Sequence, residues 1–403
     1  VPEYGGCRAA LARVGERAFQ ARLSQLRSAP LAQYEGVAGA KLEILHLLFL
    51  DFNQQHIACR TQRASLFHEF VTLGGPSLQS QARFDALDQH FCSSLHTPSG
   101  WLIWPEAFRD PDGTAVLEFA ATHVQAVSFY AYLQWLAHDQ LQSVNELASA
   151  LHMPLGLYGD CAVGPHPSGA ETWVDRTGFC LGAEVGAPAD SLSPQGQGWG
   201  IPPPDPTVMQ SRGLSGFIHR IRANSRYYGA LRLDHVMSLH RLWWMTAGHS
   251  PTEGVYVHYP LPALLAVVAL ESVRNECLVV GENLGVVPDA IRRAIPEYGQ
   301  YEYTVLLFEK GDDGTFRRPQ ELSRRAIGTV STHDTPTLRG FWEGRDIELR
   351  RRLNGHANPD GYLASERDRT LDKGGLLAAL QEHGIQPIHP ASAQGELPAS
   401  MHD

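Results

Sequence analysis

Hydrophobic and polar positions follow one rhythm up to about residue 150 and another after it. In the first part the signal is helical: Ala-, Leu-, Gln- and Arg-rich stretches such as 8–27 and 37–50 are separated by Pro and Gly breaks, and strand patterns are sparse. Phe129, Tyr132, Leu133 and Leu136 keep the i, i+3, i+4, i+7 spacing, so 124–148 predicts an amphipathic helix with Trp135 and Leu141 nearby. That helix leads directly into a strand signal.

Beyond it, short β-rich runs at 155–163, 229–237, 277–284, 302–308 and 326–333 alternate with segments expected to be helical. Such alternation implies an α/β fold with a parallel sheet, and a closed (β/α) barrel is at least as well favoured as an open sheet. No internal repeat occurs at solenoid periods. The Gly- and Pro-rich stretch 186–206 reads as a long loop, and loops of that length are usually functional.

Composition narrows the classes of function. Of 403 residues, 43% are apolar and 19% charged, an ordinary globular balance, and no apolar run approaches a membrane span. The net charge of -10, from 43 acidic and 33 basic residues, is spread along the chain without a basic stripe, so neither nucleic acid nor a membrane surface is an expected partner. Six scattered cysteines form no CxxC pair and no cluster with histidine, which suits reduced thiols and a cytoplasmic setting. The start, Val1-Pro2-Glu3-Tyr4, has neither an initiator Met nor a signal segment and reads as a cut through a longer polypeptide.

Three acidic residues stand at or just past the ends of strand candidates: Asp234 after Leu231-Arg232-Leu233, Glu282 after Val279-Val280-Gly281, and Asp334 after Ser331-Thr332-His333. In a barrel the carboxyl ends of the strands open into one mouth, so three such strands aim three carboxylates at one place. Side chains alternate along a strand, which puts Arg232 and Asp234 on one face and Leu231 and Leu233 on the other, against helices. A guanidinium beside Asp234 is expected to lower its pKa and keep it ionised. Glu282, in a drier spot near other carboxylates, is expected to hold a proton. Carboxyl groups in these two states flanking a glycosidic bond define retaining glycosyl transfer: one attacks the anomeric carbon, the other protonates the leaving oxygen and later deprotonates the acceptor. Water and a sugar hydroxyl both qualify as that acceptor.

Each motif alone is weak. Asp334 before Thr335-Pro336-Thr337 also suits a helix cap, and Glu282-Asn283 also suits an ordinary turn; the conjunction of three carries the reading. His235 and His333 adjoin Asp234 and Asp334, which favours neutral donors to sugar hydroxyls over packed core histidines. No His-x-His or His-x3-His pair lies near them, so no metal site is expected. In the segment 196–206, glycines permit close backbone approach and prolines stiffen the exit. Trp199 there either stacks on a pyranose face or plugs a gap beneath the loop. The string Gly281 to Gly285 lacks the Lys-Ser/Thr of a phosphate loop and carries an acid where phosphate would sit, so nucleotide binding is set aside.

Several segments, in order, resemble the amylomaltase or disproportionating-enzyme family, glycoside hydrolase family 77: Pro105-Glu106-Ala107-Phe108-Arg109-Asp110-Pro111, Gly156-Leu157-Tyr158-Gly159-Asp160, Ala170-Glu171-Thr172-Trp173, Val185-Gly186-Ala187-Pro188, Trp199-Gly200-Ile201-Pro202-Pro203 and the three acidic motifs. The match runs from about residue 1 to 345. It implies a (β/α)8 TIM-type barrel with a helical insertion subdomain over 1–150, a barrel portion covering about strands 3 to 7 over 151–403, no cofactor, and transfer of α-1,4-glucan segments between maltooligosaccharide donor and acceptor. By this resemblance Asp234 is similar to the nucleophile, Glu282 to the acid/base and Asp334 to the carboxylate that stabilises the transition state. Arg232 and His333 resemble residues that hold the nucleophile and the donor sugar, Asp160 matches a position near the site, and Trp199 falls in the acceptor-side lid. His258 stands where an Arg is expected. The resemblance also implies barrel strands before residue 1 and after residue 403, so a chain with open strand edges is expected to be poorly stable or inactive alone. An α-amylase-like hydrolase and an inactive glucan-binding remnant stay open as alternatives.

Overall fold

Helices account for the chain before its first strand: α1 (Arg8–Gly15), α2 (Arg17–Ser28), α3 (Tyr34–Phe52), α4 (Gln62–Leu95), α5 (Thr114–Thr122) and α6 (Val124–Ala150). The computed structural model describes residues 1–95, 98–189, 195–311, 313–354 and 359–385. In α4 the helix is interrupted at Gly75, whose φ of 52° with ψ of -147° is a combination open to glycine, and Pro76 opens the piece that follows. The apolar face of α6 buries Phe129, Tyr132, Trp135 and Leu136 against Phe49 and Phe52 of α3 and Phe67 of α4. Each such side chain removed from water contributes about 1.5–3 kcal/mol, so aromatic packing rather than helix propensity holds this layer together.

The rest of the chain runs β1 (Tyr158–Cys161), α7 (Ala170–Val174), β2 (Ala183–Ala187), β3 (Gln197–Gly198), α8 (Pro206–Ser211), α9 (Ser215–Ser225) and β4 (Ala230–Leu233). It continues through β5 (Arg241–Thr246), β6 (Gly254–His258), α10 (Leu261–Arg274), β7 (Leu278–Gly281), α11 (Asp289–Glu297), β8 (Tyr301–Val305) and β9 (Ala326–Thr329). Three helices close it: α12 (Leu338–Glu343), α13 (Arg345–Asn354) and α14 (Pro359–Glu382). Trp173 of α7 packs with Phe84 and Phe91 of α4 and with Trp104, and its indole N–H donates to the Phe108 carbonyl at 3.1 Å, so α7 is pinned to the helical layer.

Strands β1, β4, β7, β8 and β9 form one parallel sheet in that order. Its register aligns Asp160, Arg232 and Val280 across three strands. On one face Leu231, Leu233 and Val279 pack with Ile221 of α9, Leu264 and Val268 of α10 and Ile291 of α11. On the other face Val280 meets Tyr303 and Val305, and Arg232 lies over the Tyr303 ring. The expected alternation of Arg232 with its leucine neighbours is therefore what the sheet uses: leucines toward helices, guanidinium toward the opposite, inner side.

All five expected strands occur, each shorter than its β-rich run. The residues that drop out, 234–237 and 282–284, leave the ladder and shape the candidate site. One expectation needs correcting: 186–206 is not a single loop. Part of it pairs, since β2, β3, β5 and β6 make a second, antiparallel sheet in the order β3-β2-β5-β6; residues 190–194 of the stretch lie outside the described residues. Among the described residues no helix is long and apolar enough to cross a membrane.

Candidate active site

Arg232 is the organising cation. Its side chain is almost wholly buried, and Nη1 lies 2.8 Å from Asp160 Oδ1 on the neighbouring strand and 2.8 Å from Asp234 Oδ1 just beyond the end of its own. A buried guanidinium needs such partners, because desolvation would otherwise cost several kcal/mol. The Tyr303 ring centroid lies 5.5 Å from the guanidinium carbon, closing the inner side.

Asp234 continues the line of β4, its N–H donating to the Cys161 carbonyl at 3.1 Å. Its carboxyl does not sit below the ordinary range as Arg232 alone would dictate. Burial raises its pKa and outweighs Arg232, with Asp160 and Asp334 adding to the rise. Arg232 pulls the pKa down as the sequence leads one to expect, but desolvation and the neighbouring carboxylates turn the net direction upward.

His235 then turns into the left-handed region, φ +45°, a conformation that costs a residue with a Cβ and is found mainly where a site demands it. The turn aims its backbone N–H at Glu282 Oε2, 2.9 Å away. Burial holds the pKa of the His235 side chain down to about 4, so the ring is neutral near pH 7. It meets the Trp199 ring edge-on at 5.0 Å.

Glu282 is 8% exposed. Its N–H donates to the Leu233 carbonyl and its own carbonyl accepts from Val236 N–H, each at 2.9 Å, so the backbone is clamped to the exit of β4. Its Oε1 accepts from Leu284 N–H at 2.9 Å. Gly281 makes the approach possible: a Cβ there would stand 2.9 Å from Val236 Cγ2. Burial raises the Glu282 pKa, and Asp234 adds to it, while the Leu284 and His235 N–H groups and Arg232 pull down without reversing the direction. This is the direction expected from the sequence.

Asp334 lies in a turn after β9, where its N–H donates to Thr332 Oγ1 at 3.1 Å. It does not cap a helix; that position at the start of α12 is held by Thr337, whose hydroxyl accepts from Gly340 N–H at 3.1 Å. His333 Nε2 lies 3.3 Å from Asp334 Oδ2 and 3.9 Å from Asp160 Oδ2. Asp234, Arg232 and Asp160 thus form a chain of polar contacts at the sheet end, with His333 and Asp334 beside it. Glu282 is the buried carboxyl of the group, Asp234 and Asp160 are partly exposed and Asp334 is the most exposed, so carboxyls in unlike surroundings meet at one sheet end.

Trp199 packs against the main core as the gap-filling reading expects and remains partly exposed beside His235. It donates its backbone N–H to the Val185 carbonyl at 2.9 Å and its indole N–H to Gln197 Oε1 at 3.0 Å. His258 pairs across from Arg241 in β5, its ring 4.9 Å from that of His240. Two residues were not singled out from sequence: Tyr303, under Arg232, and Asn283, whose Oδ1 accepts from Tyr303 N–H at 3.0 Å. The signals were present, an aromatic on the inward parity of a strand and an amide directly after a candidate acid. Cavities lie elsewhere, among them one of about 510 Å³ between α4, α7, α8 and α9, an apolar one of about 710 Å³ among α1 to α3 and one of about 330 Å³ between α4, α5 and α6, and none of these carboxylates lines any of the three. Among the described residues no three His, Cys, Asp or Glu side chains converge as a metal-binding group.

Over residues 8–402 the chain matches the family 4-alpha-glucanotransferase, glycoside hydrolase family 77. A 4-alpha-glucanotransferase of Haemophilus influenzae is 37% identical over 407 residues, covering 100% of this chain and 58% of that protein. One from Mycobacterium tuberculosis is 34% identical over 328 residues, covering 80% of this chain and 44% of its own length. Among solved structures, amylomaltase from Corynebacterium glutamicum superposes with a TM-score of 0.76 at 28% identity, over 96% of this chain and 52% of that one. This likeness makes the α/β fold one of the TIM-barrel type. The chain spans about half the length of these relatives.

Proposed function

Because the chain belongs to glycoside hydrolase family 77, the 4-alpha-glucanotransferases, we propose that it carries the catalytic centre for retaining transfer of α-1,4-glucan segments between maltooligosaccharides. The observation that carries this reading is Arg232, held between Asp160 and Asp234 while Glu282 grips the backbone N–H next to Asp234. In it the Asp234 carboxylate attacks the anomeric carbon as Glu282 gives its proton to the glycosidic oxygen; the reducing-end fragment leaves and a glycosyl-aspartate ester remains. The 4-hydroxyl of an acceptor glucan then gives its proton to Glu282 and attacks the same carbon, freeing Asp234. Two inversions restore the α-configuration.

Asp334 and His333, on the exposed rim, hold sugar hydroxyls, and the Asp334 charge offsets the positive charge that develops on the ring. Neutral His235 donates to a hydroxyl, and Trp199 beside it stacks on the acceptor side. Residues 1–150 act as a helical subdomain set beside the barrel portion 151–403. Six free cysteines suit a reducing, cytoplasmic compartment.

Transfer and hydrolysis separate cleanly on maltotriose. Transfer yields glucose plus a ladder of longer glucans at constant reducing-end concentration. A rise in reducing ends without longer products would replace this reading with α-amylase-like hydrolysis.

A further inference from the structure

Strands β7 and β8 are in register only at Val280 with Tyr301 and Gly281 with Glu302, so their pairing ends at the Tyr303 N–H. Asn283 lies past the end of β7, yet its side-chain carbonyl returns to that N–H at 3.0 Å. On the opposite side, Glu282 is clamped to the β4 exit through Leu233, Val236 and His235. Glu282 therefore sits between two fastenings, and on the β8 side Asn283 supplies a side-chain clip. The residue it clips, Tyr303, is the one whose ring lies against Arg232.

We propose that Asn283 is a positioning residue of the transfer site, clipping the Glu282 backbone to β8 and holding Tyr303 against Arg232, so that acid/base and nucleophile keep their mutual placement. It acts through Glu282 and Arg232 and touches no sugar. The inference rests on the proposed transfer reaction for its kinetic readout but has a structural readout of its own. A neutral amide suits the role: it accepts from Tyr303 N–H without adding a second negative charge beside Glu282, which already faces Asp234, with Arg232 the nearby cation.

The experiment compares the unmutated protein with Asn283→Ala and Asn283→Asp. In the alanine variant kcat for maltotriose disproportionation falls ~10-fold or more while KM changes less than ~3-fold, since orientation and not ground-state binding is lost. The aspartate variant, which still accepts from Tyr303 N–H, recovers kcat to within ~3-fold, and the alkaline limb of its pH profile moves up because the added carboxylate raises Glu282. Amide hydrogen exchange at Tyr303 speeds up in the alanine variant and returns toward the parent rate in the aspartate one. Unchanged kcat and unchanged Tyr303 exchange in the alanine variant overturn the proposal. Should the unmutated protein make no longer glucans, the transfer reading fails by itself, and Tyr303 exchange still decides for or against the Asn283 clip.

Discussion

Arg232 Nη1 lies 2.8 Å from Asp234 Oδ1, and the same nitrogen is equally close to Asp160 Oδ1 on the next strand. One cation thus offsets two carboxylates that would otherwise repel each other at the mouth of the sheet. Replacing it with Met leaves both charges uncompensated and frees Asp234, the proposed nucleophile, to swing. Arg232→Met is expected to lower kcat/KM for maltotriose by ~10³-fold; Arg232→Lys, which keeps the charge but not the fork, by ~10- to 100-fold. Steady-state kinetics on both variants checks the order. A Met variant within ~10-fold of the parent would show that the cation does not organise the site.

Asp234 and Glu282 both lie above their ordinary values, chiefly through burial. In the proposed reaction, attack needs Asp234 ionised and leaving-group departure needs Glu282 protonated. The kcat/KM profile should therefore be bell-shaped, rising as the first carboxyl ionises and falling as the second does, with the limbs belonging to the coupled pair. Both limbs should lie on the alkaline side of unperturbed carboxylates. Asp160→Asn removes one of the charges that raise Asp234, so its acid limb should move to lower pH. An acid limb that stays in place or rises in that variant contradicts the charge assignment.

The five-stranded sheet and its three strand-end carboxylates are legible because both rest on local pattern: β-rich runs alternating with helical ones, and an acid at or just past the strand end in three of the five. Arg232 was legible through parity with Asp234. What could not be read depends on partners distant in sequence. Gly186 looks like a loop residue, yet its missing Cβ, which would stand 2.0 Å from the Gln197 carbonyl oxygen, is what lets β2 and β3 pair. The β1–β4 register that brings Asp160 to Arg232 spans 72 positions of sequence, and nothing local announces it. For Asp234 the lowering effect of its neighbour Arg232 is visible in sequence, whereas its burial and the approach of Asp160 and Asp334, which set the net direction, are products of the fold.

Away from the site, Glu271 on α10 is buried, with both carboxylate oxygens engaged by Arg222 of α9 at 3.0 and 2.8 Å and a third contact from Arg274 at 3.1 Å. The Arg222 hydrogen bonds, against the opposing effect of burial, hold its pKa down to about 2. A carboxyl depressed by folding contributes stability that is fully present above its ordinary pKa of 4.5 and is lost as pH falls toward about 2. Glu271→Gln should cost roughly 1–2 kcal/mol at pH 7, toward the low end because both guanidiniums are half-exposed and screened. The difference from the parent should narrow steadily below pH ~4.5. Denaturant titrations at several pH values check it, and a difference independent of pH would assign the loss to packing instead.

The role given to Asp234 is tested most directly by trapping the intermediate. The enzyme's nucleophile displaces the anomeric fluoride of a 5-fluoro-α-glucosyl fluoride, fluoride leaves to solvent, and a slowly hydrolysed glycosyl ester remains, which peptide mass spectrometry locates. The predicted result is a single fluoroglucosyl label on Asp234, abolished in Asp234→Asn. A label on Glu282 or Asp160, or turnover of the reagent undiminished in Asp234→Asn, would contradict a retaining route through Asp234.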